Sequence, residues 1–133
     1  MPREAFSNNS VDIESNLFGI NANNLLEFYN GIDLLVLPSL SESFPNVVPE
    51  SMLCSTPVLS SDAGCSKIII NNYGFVMNKN SVSSIQKNLN KIIKLYIFKK
   101  SYWRDLKKKT RSQIINNFSI AKMSKQYLRK WTF

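Results

Sequence analysis

Glu42 and Glu50 are two carboxylates separated by seven residues, within Ser-Glu-Ser-Phe-Pro-Asn-Val-Val-Pro-Glu-Ser. The apolar run Asp33 to Pro38 comes just before them and reads as a buried strand. Asn46 to Ser55 reads as a helix, with Asn46 as its N-cap and Pro49 tolerated in its first turn. One acid therefore sits on the loop after a strand, and the other near the start of the next helix. In open α/β sheets, ligands bind beyond the carboxyl ends of the strands. The free amides and dipole of a helix start suit a phosphate. An acid on that helix can accept hydrogen bonds from ribose hydroxyls, and an acid on the loop can do the same for a sugar. The local pattern suggests a nucleotide-sugar site. The plainer alternative is two exposed acids near a helix start, where acids are favoured in any case.

Other chemistry is excluded or weakly supported. The 133 residues include no histidine, so the sequence offers no imidazole base. Cys54 and Cys65 make neither a disulfide framework nor a zinc site, and Cys54 reads as a small core residue. Asp62, near a strand end, reads as a turn cap. Met1 to Asp12 is polar, without the apolar core of a secretion signal. No apolar run reaches the roughly 20 residues of a membrane helix. These features suggest a reduced, cytoplasmic chain.

The elements that position the two acids follow from periodicity. Asn16 to Gly19, Asp33 to Pro38, Pro57 to Ser60 and Gly74 to Met77 read as strands. Asn21 to Asn30 reads as a helix with Leu25, Leu26 and Tyr29 on one side. Strands alternating with short helices indicate an α/β fold with a parallel sheet of about four strands. From Ser81 the pattern turns helical. Ile85, Leu89, Ile92, Ile93 and Tyr96 form a stripe, and further helices are expected over Tyr102 to Asn116 and Ile120 to Lys130. The expected organisation is a partial Rossmann-like unit over residues 1–80, with helices over 81–133 packing on it.

The motifs around the two acids resemble family 4 of the retaining glycosyltransferases, which have the GT-B fold. The Glu42/Glu50 pair looks like that family's E-x7-E signature. Cys54-Ser55-Thr56-Pro57-Val58-Leu59-Ser60-Ser61-Asp62-Ala63-Gly64 resembles its helix-to-strand passage. Tyr73-Gly74-Phe75-Val76 resembles its next strand, and Asn117-Phe118-Ser119 the start of its last helix. The upstream Phe28-Tyr29-Asn30-Gly31-Ile32-Asp33 also fits, so the likeness runs from about Asn16 to Trp131. It implies the C-terminal, donor-binding half of a GT-B enzyme, using a nucleotide-diphosphate sugar and neither a cofactor nor a metal. On that resemblance Glu42, Ser43, Phe44 and Pro45 would line the donor-sugar pocket. The amides of Asn46, Val47 and Val48 would meet the diphosphate, and Glu50 would hold the ribose. Family members usually carry glycine where Ser55 and Cys65 stand.

The resemblance also implies missing parts. The family's basic pair for the diphosphate and its acceptor domain would come before Met1, so no catalytic residue is assigned within this chain. A partner chain or N-terminal domain is expected. The implied strand order, 3-2-1-4-5-6, leaves Asp33 to Pro38 with an unpaired edge, and such edges invite association. The expected activity is transfer of a sugar to a glycan or lipid-linked acceptor, in surface polysaccharide biosynthesis. The rival reading is a non-catalytic nucleotide-sugar-binding subunit, or a remnant, that needs a partner chain.

Charge is unevenly divided. Residues 1–86 hold three cations against eight acids, and residues 87–133 hold fourteen against one. Lys87 to Arg111 is a candidate for an anionic membrane surface, which would place the chain peripherally at the inner face of the membrane. A basic nucleic-acid-binding protein is the less favoured reading, with Tyr96, Phe98, Tyr102 and Trp103 available to stack on bases.

Overall fold

A computed structural model describes residues 22–131. The expected strand Asn16 to Gly19 lies outside them. The described chain runs α1 (Ala22–Gly31), β1 (Leu35–Leu37), α2 (Val47–Leu53), β2 (Val58–Ser61) and α3 (Ser66–Ile70). It continues through β3 (Phe75–Met77), α4 (Val82–Phe98), α5 (Lys100–Phe118) and α6 (Ile120–Trp131).

Within the described residues the sheet has three strands, all parallel, in the order β1-β2-β3. Leu35 pairs with Val58, and Leu59 with Phe75. Parallel neighbours need a crossover, which α2 and α3 supply. Alternation along each strand divides the core into two layers. Leu35, Leu37, Val58 and Val76 face one cluster, with Val48, Met52, Ile69, Ile70 and Ile114. Leu34, Val36, Leu59, Phe75 and Met77 face the other, with Ile92, Trp103 and Leu106. β2 is fully buried, whereas β1 is only half-buried. β1 is apolar on both faces, as its sequence suggests, but it stands at the edge of the described sheet and pairs only with β2.

α5 bridges the two layers. Its first half supplies Trp103 and Leu106 to one cluster, and its second half supplies Ile114 and Phe118 to the other. Hydrogen bonds fix the crossing point. The buried Thr110 hydroxyl donates to the Tyr73 carbonyl at 2.7 Å, and Gln113 donates to the Ile69 carbonyl at 3.3 Å. Arg111 donates to the Leu53 carbonyl, placing a cation at the C-terminus of α2.

Serine side chains cap the starts of α4 and α6. Ser81 caps α4 by accepting the Ser84 amide at 3.2 Å. Ser119, extended at ψ 150, ends α5, and its hydroxyl accepts the Lys122 amide at the start of α6. One sequence expectation needs correction. Asn46 does not cap α2 through its side chain: its backbone is already helical and its side chain makes no cap bond. Leu25, Leu26 and Tyr29 do lie on one side of α1, where only Tyr29 is buried and Leu26 remains half exposed. The α4 stripe holds at Ile92, with Ile85 and Leu89 half-buried, but Ile93 stays exposed.

Candidate functional site

The Glu42 loop leaves the C-terminal end of β1, and residues at the same end of β2 and after β3 hold it in place. Asn80 donates to the carbonyls of Pro38 and Ser39, at 2.8 and 3.1 Å. The Ser61 hydroxyl donates to the Ser39 carbonyl at 2.5 Å. The Ser39 hydroxyl in turn donates to Glu42 Oε1 at 2.6 Å, so the carboxylate is held back toward the strand end. The Cys65 amide donates to the Ser43 carbonyl at 3.0 Å.

Gly64 completes the clamp. Its φ is +55, and a β-carbon built there would lie 2.4 Å from the Glu42 carbonyl oxygen and 2.6 Å from that of Ser43. Only a residue without a side chain allows two backbones to come this close. Cys65, where the resembled family has glycine, has φ −86 and needs no such freedom. Asp62 forms an exposed ion pair with Lys67, 3.6 Å away.

The other acid is held by a different hydroxyl. The Tyr29 phenol, 4% exposed, donates to Glu50 Oε2 at 2.9 Å. Burial raises the Tyr29 pKa well above its ordinary value, and the hydrogen bond to Glu50 and that acid's charge add to the effect. Thr56 anchors the same helix by donating to the Tyr29 carbonyl at 2.7 Å. Glu50 also borders a cavity of about 300 Å³ that is otherwise lined by Leu25, Leu26, Tyr29, Leu53 and Cys54. Cys54 is half-buried, and burial pushes its thiol pKa up, with Arg111 opposing.

Between the acids, Pro45 and Val48 are buried, while Asn46 and Val47 are exposed. Phe44 is half exposed and meets the Phe118 ring with centroids 6.5 Å apart, tying the loop to α5. The Val48 amide donates to the Pro45 carbonyl at 3.0 Å. It is therefore already engaged, unlike the free donor expected from the sequence.

The end of α2 carries a strained turn. The Ser55 amide donates to the Met52 carbonyl and the Thr56 amide to the Ser51 carbonyl, both at 3.0 Å. This is the Schellman pattern, which puts its C′ residue in the left-handed region and favours glycine there. Ser55 holds that position at φ 62.

Comparison with known proteins is decisive at the family level. The sequence profile of "Glycosyl transferases group 1" matches residues 13–117. The chain belongs to this family. Members typically take nucleotide-sugar donors, and the chain has a GT-B-like α/β fold. A similar solved structure is the sucrose-phosphate synthase of Thermosynechococcus elongatus. The two share 25% identity at a TM-score of 0.68, over 84% of this chain and 28% of that one. This chain thus spans about 28% of the length of that one. No curated protein sequence matches it.

The residues that sequence reasoning missed are Ser39, Ser61, Gly64, Asn80 and Tyr29. Ser39, three residues before Glu42, was the one within local reach, since hydroxyl side chains commonly bond near neighbours in turns.

Proposed function

We propose that this end of the sheet binds the nucleotide-diphosphate sugar of a sugar-transfer reaction. Glu42 takes hydroxyls of the donor sugar, in a pocket edged by Ser43, Phe44 and Pro45. Glu50 takes the ribose. The amides of Asn46 and Val47 meet the diphosphate, and the engaged Val48 amide serves by keeping the turn in shape. The observation that carries this reading is the matched treatment of the two acids. Each has one oxygen held by a hydroxyl donor, Ser39 for Glu42 and Tyr29 for Glu50. A carboxylate has about four acceptor sites, so each keeps capacity for ligand hydroxyls.

The transfer retains anomeric configuration, to a glycan or lipid-linked acceptor in surface polysaccharide synthesis. The acceptor side and the remaining diphosphate contacts come from a further domain or a partner chain. Coverage supports this, since the chain spans 28% of the similar solved chain. The same fact favours a second reading, a subunit that binds nucleotide sugar without turning it over. Transferase assays with and without added partner chains separate the two.

Calorimetry with a nucleoside diphosphate and its nucleotide sugar tests the division of roles. Glu50→Ala weakens both ligands by about 1.5–3 kcal/mol, the range for hydrogen bonds to a charged group. Glu42→Ala weakens only the nucleotide sugar. Equal losses for both ligands in both variants would overturn the assignment.

A further inference from the structure

The ends of the three strands are tied together at Ser39, which follows β1 on the donor-side loop. Its carbonyl accepts from the hydroxyl of Ser61, the last residue of β2, at 2.5 Å. The same carbonyl accepts from Asn80 Nδ2, which follows β3, at 3.1 Å, and that nitrogen also donates to the Pro38 carbonyl at 2.8 Å. A side-chain amide nitrogen carries two hydrogens, so Asn80 commits both to this loop. The Ser39 hydroxyl passes the connection on, donating to Glu42 Oε1 at 2.6 Å.

We propose that Asn80 is a positioning residue for the donor sugar, acting on Glu42 through Ser39. The inference rests on the assignment of Glu42 to that sugar. Glu42 stands on a loop between β1 and α2, without a helix or strand to hold it. A glutamate side chain on such a loop gives up rotamer freedom when a ligand fixes it, and that loss weakens binding. A hydroxyl donor reduces the loss only if the hydroxyl is itself fixed. Ser39 is three residues from Glu42 on the same loop, so their bond alone would let the two move together. Asn80 and Ser61 join Ser39 to parts of the fold that lie outside the loop. Ser61 belongs to the buried strand β2. Asn80 directly precedes Ser81, the cap of α4, and α4 is packed on the sheet through Ile92.

Asn80 separates positioning from folding better than Ser61 does. Ser61 is 3% exposed, and its loss disturbs the core. The bond from Asn80 to Pro38 is exposed, and losing such a bond costs the fold little. Glu50 is held separately, on a regular helix and by the buried Tyr29 phenol. The loss of Asn80 therefore acts on the sugar end of the ligand and spares the nucleotide end.

The full chain is titrated by calorimetry with UDP and UDP-glucose and with GDP and GDP-mannose, and the pair that the wild type binds is carried forward. Asn80→Ala is expected to weaken the nucleotide sugar about five- to tenfold and to leave the nucleoside diphosphate unchanged. Asn80→Asp, nearly equal in size but without the two donors, gives the same split. In a Glu42→Ala background Asn80→Ala adds no further loss, because the group it positions is gone. An unchanged thermal transition shows that each variant is folded. If Glu42→Ala weakens the nucleotide sugar but Asn80→Ala and Asn80→Asp do not, the assignment of Asn80 falls and the donor-site reading stands. An equal loss for both ligands, or a loss that persists without Glu42, also overturns the assignment, since Asn80 would then act by another route. If the folded wild type binds neither pair, or Glu42→Ala costs the nucleotide sugar nothing, the donor-site reading falls and the assignment falls with it.

Discussion

The donor-side loop and the last helix are both exposed, and they are held in opposite ways. The loop from Pro38 to Val48 has few buried side chains. It is fixed through its backbone by Asn80, Ser61, the Cys65 amide and the close approach of Gly64. α6 is a regular helix with its own cap at Ser119, and none of its side chains is buried. Regular secondary structure therefore does not measure how firmly a segment is held. The irregular loop is held by non-local bonds that fix an acid to a strand end. The regular helix leaves a whole apolar face exposed among the described residues.

Substitutions can break or sharpen this contrast. The largest expected effect is Gly64→Ala. It adds a methyl group against two carbonyl oxygens at a positive φ, and overpacking with left-handed strain costs about 2–4 kcal/mol. Chemical denaturation should show this loss, and nucleotide-sugar binding should fall with it. A loss below about 0.5 kcal/mol would mean that the loop is not clamped at Gly64.

Tyr29→Phe should cost about 1.5–2 kcal/mol at neutral pH by removing the donor to Glu50. The pKa of the Tyr29 phenol is raised in the fold, so its neutral form is the one stabilised. Its contribution is fully present below the ordinary tyrosine pKa of about 10 and is lost as pH rises beyond it. Denaturation curves at several pH values should show wild type and Tyr29→Phe converging above about pH 10. A gap that is constant with pH would place the effect elsewhere.

Ser55→Gly should act in the other direction. It relieves a non-glycine residue at φ 62 and should stabilise the chain by about 1 kcal/mol, read as a higher denaturation midpoint. The smallest effect is expected in α6, where Ile120→Ser should change stability by less than about 0.5 kcal/mol because the side chain is exposed. A loss comparable with that of Gly64→Ala would erase the contrast between the two regions.

Much of the framework could be read from the sequence because its causes are local. An unbroken apolar run marks β1, and Ser81 marks the start of α4. The spacing of Glu42 and Glu50, with the ordered motifs around them, pointed to the family that the profile match establishes. The apparent N-cap at Asn46 failed for a reason that is also local. The carbonyls of Pro45 and Asn46 already accept the amides of Val48 and Glu50, so the helical turn forms without a side-chain cap.

Composition and periodicity established the kinds of element, the division of charge and the two acids. Only the tertiary structure decided what holds those acids and what remains uncovered. Tyr29 reaches Glu50 across 21 residues, and Asn80 reaches Pro38 across 42. Gly64 meets the Glu42 loop because parallel crossovers bring the ends of β1 and β2 side by side. The α6 stripe is visible in the sequence as an amphipathic pattern, but that pattern is the same whether the stripe is covered or bare. Hydrophobic period reports which residues share a face. What lies against that face depends on how the chain turns at Ser119 and where α5 crosses the sheet, and those are set by contacts distant in sequence.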